Sequence, residues 1–230
     1  KLDLAKMMSN KNRSVLTLTK GIEFLFKKNK VTHIKGKGSI LSNNTVVVTD
    51  HSNKKISYKT KNIVIGTGST PTSLPGIEID EKVIVSSTGG ISFNKVPKNL
   101  IVIGGGYIGL ELSSIWKRLG STVTVIEFLD HIIPGVDKDI SSEFLKILKK
   151  QGINFKLDSK VTNIKITKDG AVIDFISNKS QKIEKMECDK VLVAVGRKPN
   201  IGEDILKLGI ELDKQKKIKV NENFQTSIEN

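Results

Sequence analysis

Three consecutive glycines, Gly104, Gly105 and Gly106, separate the apolar run "NLIVI" from the helix-forming segment "YIGLELSSIWKRLG". A packed core gains nothing from three residues without side chains in a row; a ligand that must approach the main chain does. With Gly109 they form the spacing G-x-G-x-x-G, flanked by a strand pattern before and a helix pattern after. Gly104 lets the chain turn sharply, Gly106 lets a pyrophosphate approach a backbone without Cβ, and Gly109 lets the helix lie close to the strand. Free N–H groups and the positive end of the helix dipole suit a diphosphate. The second reactive residue is Glu127, which ends the next apolar run. It lies about 20 residues beyond the turn, where the adenosine ribose belongs. A carboxylate there accepts hydrogen bonds from ribose hydroxyls and repels a 2′-phosphate. The following residues are Phe128, Leu129 and Asp130, with no arginine, so the pattern predicts NAD(H) rather than NADP(H). Glu111, two positions after Gly109, reads either as a solvated helix-face glutamate or as a carboxylate near the nicotinamide.

The elements that must hold these residues follow from periodicity. "NLIVIG", "TVTVIE" and "INFKL" read as short buried strands. Between them, Ile108, Leu112, Ile115, Trp116 and Leu119, then Ile140, Phe144, Ile147 and Leu148, recur at helical spacing and end at Gly120 and Gly152. This βαβαβ order predicts parallel strands with right-handed crossovers. "VTNIKITKDGAVIDFIS" reads as a hairpin turning at Lys168–Asp169–Gly170, before a last buried strand "DKVLVAVG", so the final crossover is antiparallel sheet rather than helix. Upstream, Val15, Leu18, Ile22, Leu25 and Phe26 suggest a helix that lacks a proper beginning. A small antiparallel meander follows, with turn signals at Gly36–Gly38, Asn43–Asn44 and Ser52–Lys55, and then a buried strand, Asn62–Ile65. The Pro- and Gly-containing "TPTSLPGIEIDEKVIVSS" reads as an irregular connector, and the final "VNENFQTSIEN" as strand-like. Both ends read as interior positions of a longer protein.

Composition narrows the function classes. The formal charge of +14 invites a nucleic-acid reading, but the only arginines are Arg13, Arg118 and Arg197, and aromatics are 5%. Base and phosphate readers draw on Arg, and single-strand binders on interleaved aromatics, so the lysines read as solvated surface. No apolar run has the length of a membrane span. His33, His51 and His131 stand apart from one another and from Cys188, which argues against zinc. Cys188, in "MECDKVLVAVG", reads as a partly buried structural thiol rather than a nucleophile.

"VIGGGYIGLELSSIWKRLGSTVTVIEFLD" resembles the NAD-binding segment of the dihydrolipoyl (lipoamide) dehydrogenases, flavin-dependent disulfide oxidoreductases. "IGTGSTPTSLPGI" resembles the family's ATGS-type turn, with Gly66 where Ala is usual, and "VLVAVGRKPN" resembles its VGRxPN segment. The resemblance covers nearly the whole chain. It implies an α/β fold: a Rossmann-like NAD-binding domain, with parallel sheet and antiparallel β-meander crossover, flanked by portions of an FAD-binding domain of the same superfamily. The implied boundaries are 1–88 (FAD domain), 89–200 (NAD domain) and 201–230 (return to the FAD domain). Gly104, Gly105, Gly106, Tyr107, Ile108, Gly109, Leu110 and Glu111 would hold the NAD diphosphate and approach the nicotinamide. Glu127 would take the ribose, Val161 would lie against adenine, and Gly196 would line the nicotinamide side. Gly38, Thr67, Gly68 and Ser69 match FAD-contacting positions, and Arg197 lies near the FAD–NAD boundary. In the family, dihydrolipoamide reduces a cysteine disulfide and electrons pass through FAD to NAD⁺. The redox cysteine pair, the first FAD glycine motif, the later Gly-Asp motif and the C-terminal dimerisation domain with its His–Glu pair fall outside this stretch, so the resemblance implies a segment inactive alone. It further implies a homodimeric parent, lipoyl-bearing subunits of 2-oxo acid dehydrogenase complexes as partners, no nucleic acid or membrane, and the mitochondrial matrix, with plastid or bacterial cytoplasm as alternatives. Another flavin disulfide reductase and a non-catalytic NAD-binding module are the rival readings.

Overall fold

Asp3 starts the first helix, α1 (Leu4–Lys28): its Oδ1 accepts the Lys6 N–H at 2.9 Å and its carbonyl that of Met7. The apolar stripe that announces this helix in the sequence starts eleven residues after Leu4, at Val15. The computed structural model describes residues 2–230, and the chain divides into two compact units, Lys1–Asn12 with Pro71–Arg197 and Arg13–Thr70 with Lys198–Asn230.

In the unit formed by Arg13–Thr70 and Lys198–Asn230, β1 (Lys37–Ser42), β2 (Thr45–Thr49) and β3 (Lys55–Lys59) make the expected antiparallel meander. Asn43 and Asn44 supply the first turn, and Asp50 Oδ1 gathers the Ser52 and Lys54 N–H groups in the second. The expected buried strand Asn62–Ile65 is absent. Ile63 gives its N–H to Asn230, but no neighbouring strand among the described residues completes a ladder, and Val64 is 93% exposed. "VNENFQTSIEN" is likewise not a strand, because Asn221 Oδ1 takes the Asn223 and Gln225 N–H groups and closes a turn. A further short strand, β4 (Ser69–Pro71), pairs with β13 (Arg197–Pro199).

The other unit carries the parallel sheet. The connector expected to be irregular contributes an edge strand, β5 (Ile84–Val85), and a single helical turn, α2 (Ser87–Gly90). Asp80 Oδ1 organises it by accepting the N–H groups of Lys82, Val83 and Ile84. Then follow β6 (Asn99–Ile103), α3 (Tyr107–Arg118), β7 (Thr122–Ile126), α4 (Lys138–Lys150) and β8 (Asn154–Lys156). The crossover is a three-stranded antiparallel sheet, β9 (Ser159–Thr167), β10 (Gly170–Ser177) and β11 (Ile183–Cys188), before β12 (Lys190–Val193). β13 (Arg197–Pro199) and α5 (Glu203–Lys207) follow. The parallel sheet has order β5-β12-β6-β7-β8. Chain order reverses at β6, with β7 on one side and β12 on the other, so the β6–α3 turn sits at the switch point where α/β sheets bind ligands.

Strand alternation builds three layers. Leu100 and Val102 of β6 face the helices with Trp116, Leu110 and Leu148, whereas Ile101 and Ile103 face the antiparallel sheet with Ile173 and Phe175. Each such fully buried side chain contributes roughly 1.5–3 kcal/mol. Trp116 Nε1 donates to Gly90 O at 2.7 Å, which ties α3 to α2. The helices are rotated relative to the sequence expectation. α4 turns Ser141, Phe144, Leu145 and Leu148 inward, leaving Ile140 and Ile147 exposed, and Ile115 of α3 is also exposed.

Candidate dinucleotide site

The turn after β6 is built as the glycine spacing requires. Gly104 has φ +108°, and its N–H bonds to Ile126 O at 2.9 Å. A Cβ there would lie 2.8 Å from the Ala194 carbonyl carbon and 3.2 Å from Val195 N. A Cβ on Gly109 would run into Gly104 O, so this glycine sets the closeness of helix and strand. Gly106 is different: as N-cap of α3 it adopts φ −77°, ψ 174°, and nothing lies within 4 Å of a Cβ added to it. Its side-chain face is open space.

Gly105 is the joint between the turn and the loop after β7. Its N–H donates to Glu127 Oε2 at 2.5 Å, and its carbonyl accepts the Ile133 N–H at 2.8 Å. Glu127 Oε1 accepts the Leu129 N–H at 2.8 Å. The glutamate is 8% exposed, so it is a braced, largely buried carboxylate rather than a solvated strand end. Ser141 Oγ steadies the loop from α4 by donating to Ile132 O at 2.8 Å.

A cleft of about 980 Å³ opens over this turn. Of the expected residues, Gly104, Gly106, Tyr107, Ile108, Glu127, Val161, Gly196 and Arg197 line it. Gly105 lies against Glu127, and Gly109 and Leu110 are buried beneath the turn. Glu111 is exposed on α3 and does not line the cleft. Gly38, Thr67, Gly68 and Ser69 belong to or border the other unit and line no part of it. There, Gly38 pairs with Val48 in the meander. Thr67 and Gly68 form a turn clamped by Asn200, which takes Thr67 Oγ1–H on its carbonyl (2.6 Å), gives its N–H to Gly68 O (2.9 Å) and its Nδ2 to Thr67 O (3.1 Å). Asn200 thus links the two motifs "IGTGS" and "VGRKPN".

Sequence reasoning missed much of the wall. Phe128, Leu129, Ile133, Pro134 and Val136 supply apolar surface after Glu127, and Ser159, Lys160 and Thr162 flank Val161. Leu74, Pro75 and Ser87 line the cleft from the connector. The Pro–Gly content of 134–135 marks a loop, but nothing in its composition says that it returns to the glycine turn.

The electrostatics suit an anion carrying hydroxyl groups. α3 has no acidic residue in its first turn and no side-chain cap, and its basic residues, Lys117 and Arg118, lie in the last turn. The charged residues lining the cleft are Glu127, Lys160 and Arg197. An uncapped helix start, an open glycine face and a buried carboxylate fit the diphosphate and ribose of a dinucleotide. Cys188 is buried against Ala171 O, and burial, then the nearby Asp189 charge, push its thiol up to about 12. A thiol so held is inert at neutral pH. Among the described residues, no His/Cys/Asp/Glu group could hold a metal ion, and no helix is long and apolar enough to cross a membrane.

The sequence profile of the pyridine nucleotide-disulphide oxidoreductases matches residues 3–230. The chain belongs to that family. A dihydrolipoamide dehydrogenase of Chaetomium thermophilum is 51% identical over 99% of this chain. Mitochondrial dihydrolipoyl dehydrogenases of Pisum sativum and Bos taurus are 46% and 48% identical over 99% and 100% of it. Each match covers 46% of the relative, so the chain spans about half the length of the curated relatives it matches. Among solved structures, the HOCl-induced flavoprotein disulfide reductase RclA of Escherichia coli superposes with a TM-score of 0.83 at 25% identity, covering 98% of this chain and 50% of that one. In this pyridine nucleotide-disulphide oxidoreductase, as the sequence leads one to expect, a parallel sheet is crossed over by antiparallel strands.

Proposed function

We propose that this chain is the NAD-binding portion, with adjoining FAD-domain segments, of a dihydrolipoyl dehydrogenase. The observation that carries the reading is Gly106: an N-cap with open space where a side chain would be, on a helix without acidic first-turn residues, across from the buried carboxylate of Glu127. Gly104 and Gly105, whose N–H groups are committed to Ile126 O and Glu127, shape the turn, and the main chain from Gly106 to Ile108 meets the diphosphate. Glu127 takes the ribose hydroxyls and disfavours a 2′-phosphate. Val161 and the apolar loop from Phe128 to Val136 cover the adenine and exclude water. Gly196 and Arg197 border the nicotinamide, and Glu111, exposed on α3, is the carboxylate of that helix assigned to the nicotinamide end. Gly38, Thr67, Gly68 and Ser69 contribute to the FAD site. The bound cofactors supply the redox chemistry, nicotinamide accepting hydride from reduced flavin, and the protein orients them.

The relatives' names support oxidation of dihydrolipoamide as the parent activity. By the same analogy the full protein is a homodimer that works with lipoyl-bearing subunits of 2-oxo acid dehydrogenase complexes in the mitochondrial matrix. This chain alone is inactive in that reaction. Residues 1–88 and 201–230 belong functionally to the FAD domain and 89–200 to the NAD domain. Titrating the chain with NADH and NADPH, read by nicotinamide fluorescence, tests the core of the reading: NADH binds and NADPH binds at least tenfold more weakly, about 1.4 kcal/mol. Equal affinity for the two, or none for either, overturns it.

A further inference from the structure

The adenosine end of the cleft has an unusual wall. Four consecutive residues, Ser159 to Thr162, line it, whereas an ordinary strand presents alternate residues to one face. A β-bulge sets the last step of this run, while Ser159, Lys160 and Val161 keep regular register with Ser177, Ile176 and Phe175. Asp174 pairs with Asn163 and Phe175 with Val161, so Thr162 has no partner residue on β10. Bulges re-aim side chains beside sites. β9 is also the edge of its sheet, in the order β11-β10-β9, and the Ser159 N–H is anchored to Glu127 O at 2.9 Å. The start of β9 is thereby tied to the main chain of Glu127, and both residues line the cleft. The same strand presents Lys160, which is exposed and forms no ion pair with any carboxylate among the described residues.

We infer that Lys160, on the bulged edge of β9, is the cationic specificity residue of the adenosine end: it draws the phosphates of a nucleoside diphosphate to the cleft, and Glu127 is what keeps it from accepting a 2′-phosphate. The inference rests on the dinucleotide reading of the cleft. Lysine alone offers attraction to any phosphate, including one on the ribose 2′ position. A carboxylate lining the same cleft opposes that attraction for a charged 2′ substituent while still accepting hydroxyl protons. Selectivity is therefore a property of the pair, and the basic member is already in place.

ADP-ribose and adenosine 2′,5′-bisphosphate, titrated calorimetrically into the whole chain and three variants, test this. Lys160→Ala weakens ADP-ribose binding about two- to fivefold at low salt, the scale of an exposed ion pair. That difference closes near 1 M salt, where the screening length is about 3 Å. Glu127→Gln, which keeps an oxygen for the Gly105 N–H, raises affinity for the 2′,5′-bisphosphate about tenfold by removing a like charge. Adding Lys160→Ala to Glu127→Gln abolishes that gain. Wild-type ADP-ribose affinity unchanged by Lys160→Ala at every salt concentration, or a gain that survives the double substitution, overturns the inference while leaving the dinucleotide reading intact. Failure of the wild-type chain to bind ADP-ribose overturns the reading itself. Lys160→Ala changes an exposed side chain, so the salt series remains decisive even if Glu127→Gln folds poorly.

Discussion

Gly104 and Gly106 are two residues apart in the same turn, yet the structure gives alanine opposite consequences at the two positions. At Gly104, φ of +108° imposes a conformational cost of about 1–3 kcal/mol on any residue with a Cβ. The added methyl also meets main-chain atoms of Ala194 and Val195, which cannot swing aside; such overpacking costs about 1–3 kcal/mol more. The sum, about 2–6 kcal/mol, lowers the melting temperature by roughly 5–20 °C in a chain of this size. At Gly106, φ of −77° is ordinary for alanine and the methyl meets nothing. Restricting the unfolded chain contributes about 0.4–1 kcal/mol in favour of the variant. Alanine is a poorer N-cap than glycine by a similar amount, about 0.5–1 kcal/mol, so the melting temperature barely moves. The methyl does fill the open face that a phosphate would approach. Losing one charge-assisted hydrogen bond costs about 1.5–3 kcal/mol, or roughly ten- to 150-fold in affinity. Circular-dichroism melts of Gly104→Ala and Gly106→Ala, paired with NADH titration, read both effects. If Gly106→Ala melts as early as Gly104→Ala, or binds NADH like the parent, the division of labour within the turn is wrong.

Three further outcomes concern two contacts around the cleft and one thiol in the core. Glu127→Ala leaves the Gly105 and Leu129 N–H groups without acceptors and should cost about 2–4 kcal/mol by denaturant unfolding; an unchanged midpoint would show that the carboxylate braces nothing. Ser141→Ala removes the hydroxyl that holds Ile132 O, for about 1 kcal/mol of stability, and should loosen the 128–136 loop enough to weaken NADH binding severalfold; protection of that loop in hydrogen exchange should fall with it. Cys188, with its thiol pushed up to about 12 against an ordinary value of 9.0, should resist iodoacetamide at pH 8 until denaturant is added. Because the folded state holds the thiol proton more tightly than the unfolded state, its contribution to stability is complete below pH 9 and lost as pH rises from 9 toward 12. Cys188→Ser should reduce that alkaline loss.

What the sequence discloses follows the range of the physics. β6, α3 and β7 are legible because each is set by local pattern: a branched apolar run, a helical repeat and glycine punctuation. The individual demands on Gly104, Gly106 and Gly109 are legible because φ, open space and close approach are properties that only glycine supplies. Asn62–Ile65 misleads because an apolar run specifies a strand only where a neighbour offers a ladder; here Ile63 finds a single hydrogen bond. β5 escapes because two residues carry no periodicity, and its place depends on Asp80 collecting three N–H groups and on β12 arriving a hundred residues later.

Glu127 shows the limit most sharply. Its distance from the glycines in sequence suggests a ribose ligand, but not that one of its oxygens already holds Gly105 and the other Leu129. A residue with two structural hydrogen bonds cannot be exchanged freely to alter specificity. Arginine in its place would have to bury a cation and would leave two N–H groups unpaired, which costs several kcal/mol before any 2′-phosphate is gained. Relaxing the choice between NAD(H) and NADP(H) is therefore expected to proceed through the neutral, isosteric glutamine with Lys160 as the phosphate contact, rather than through the arginine that sequence logic alone would select.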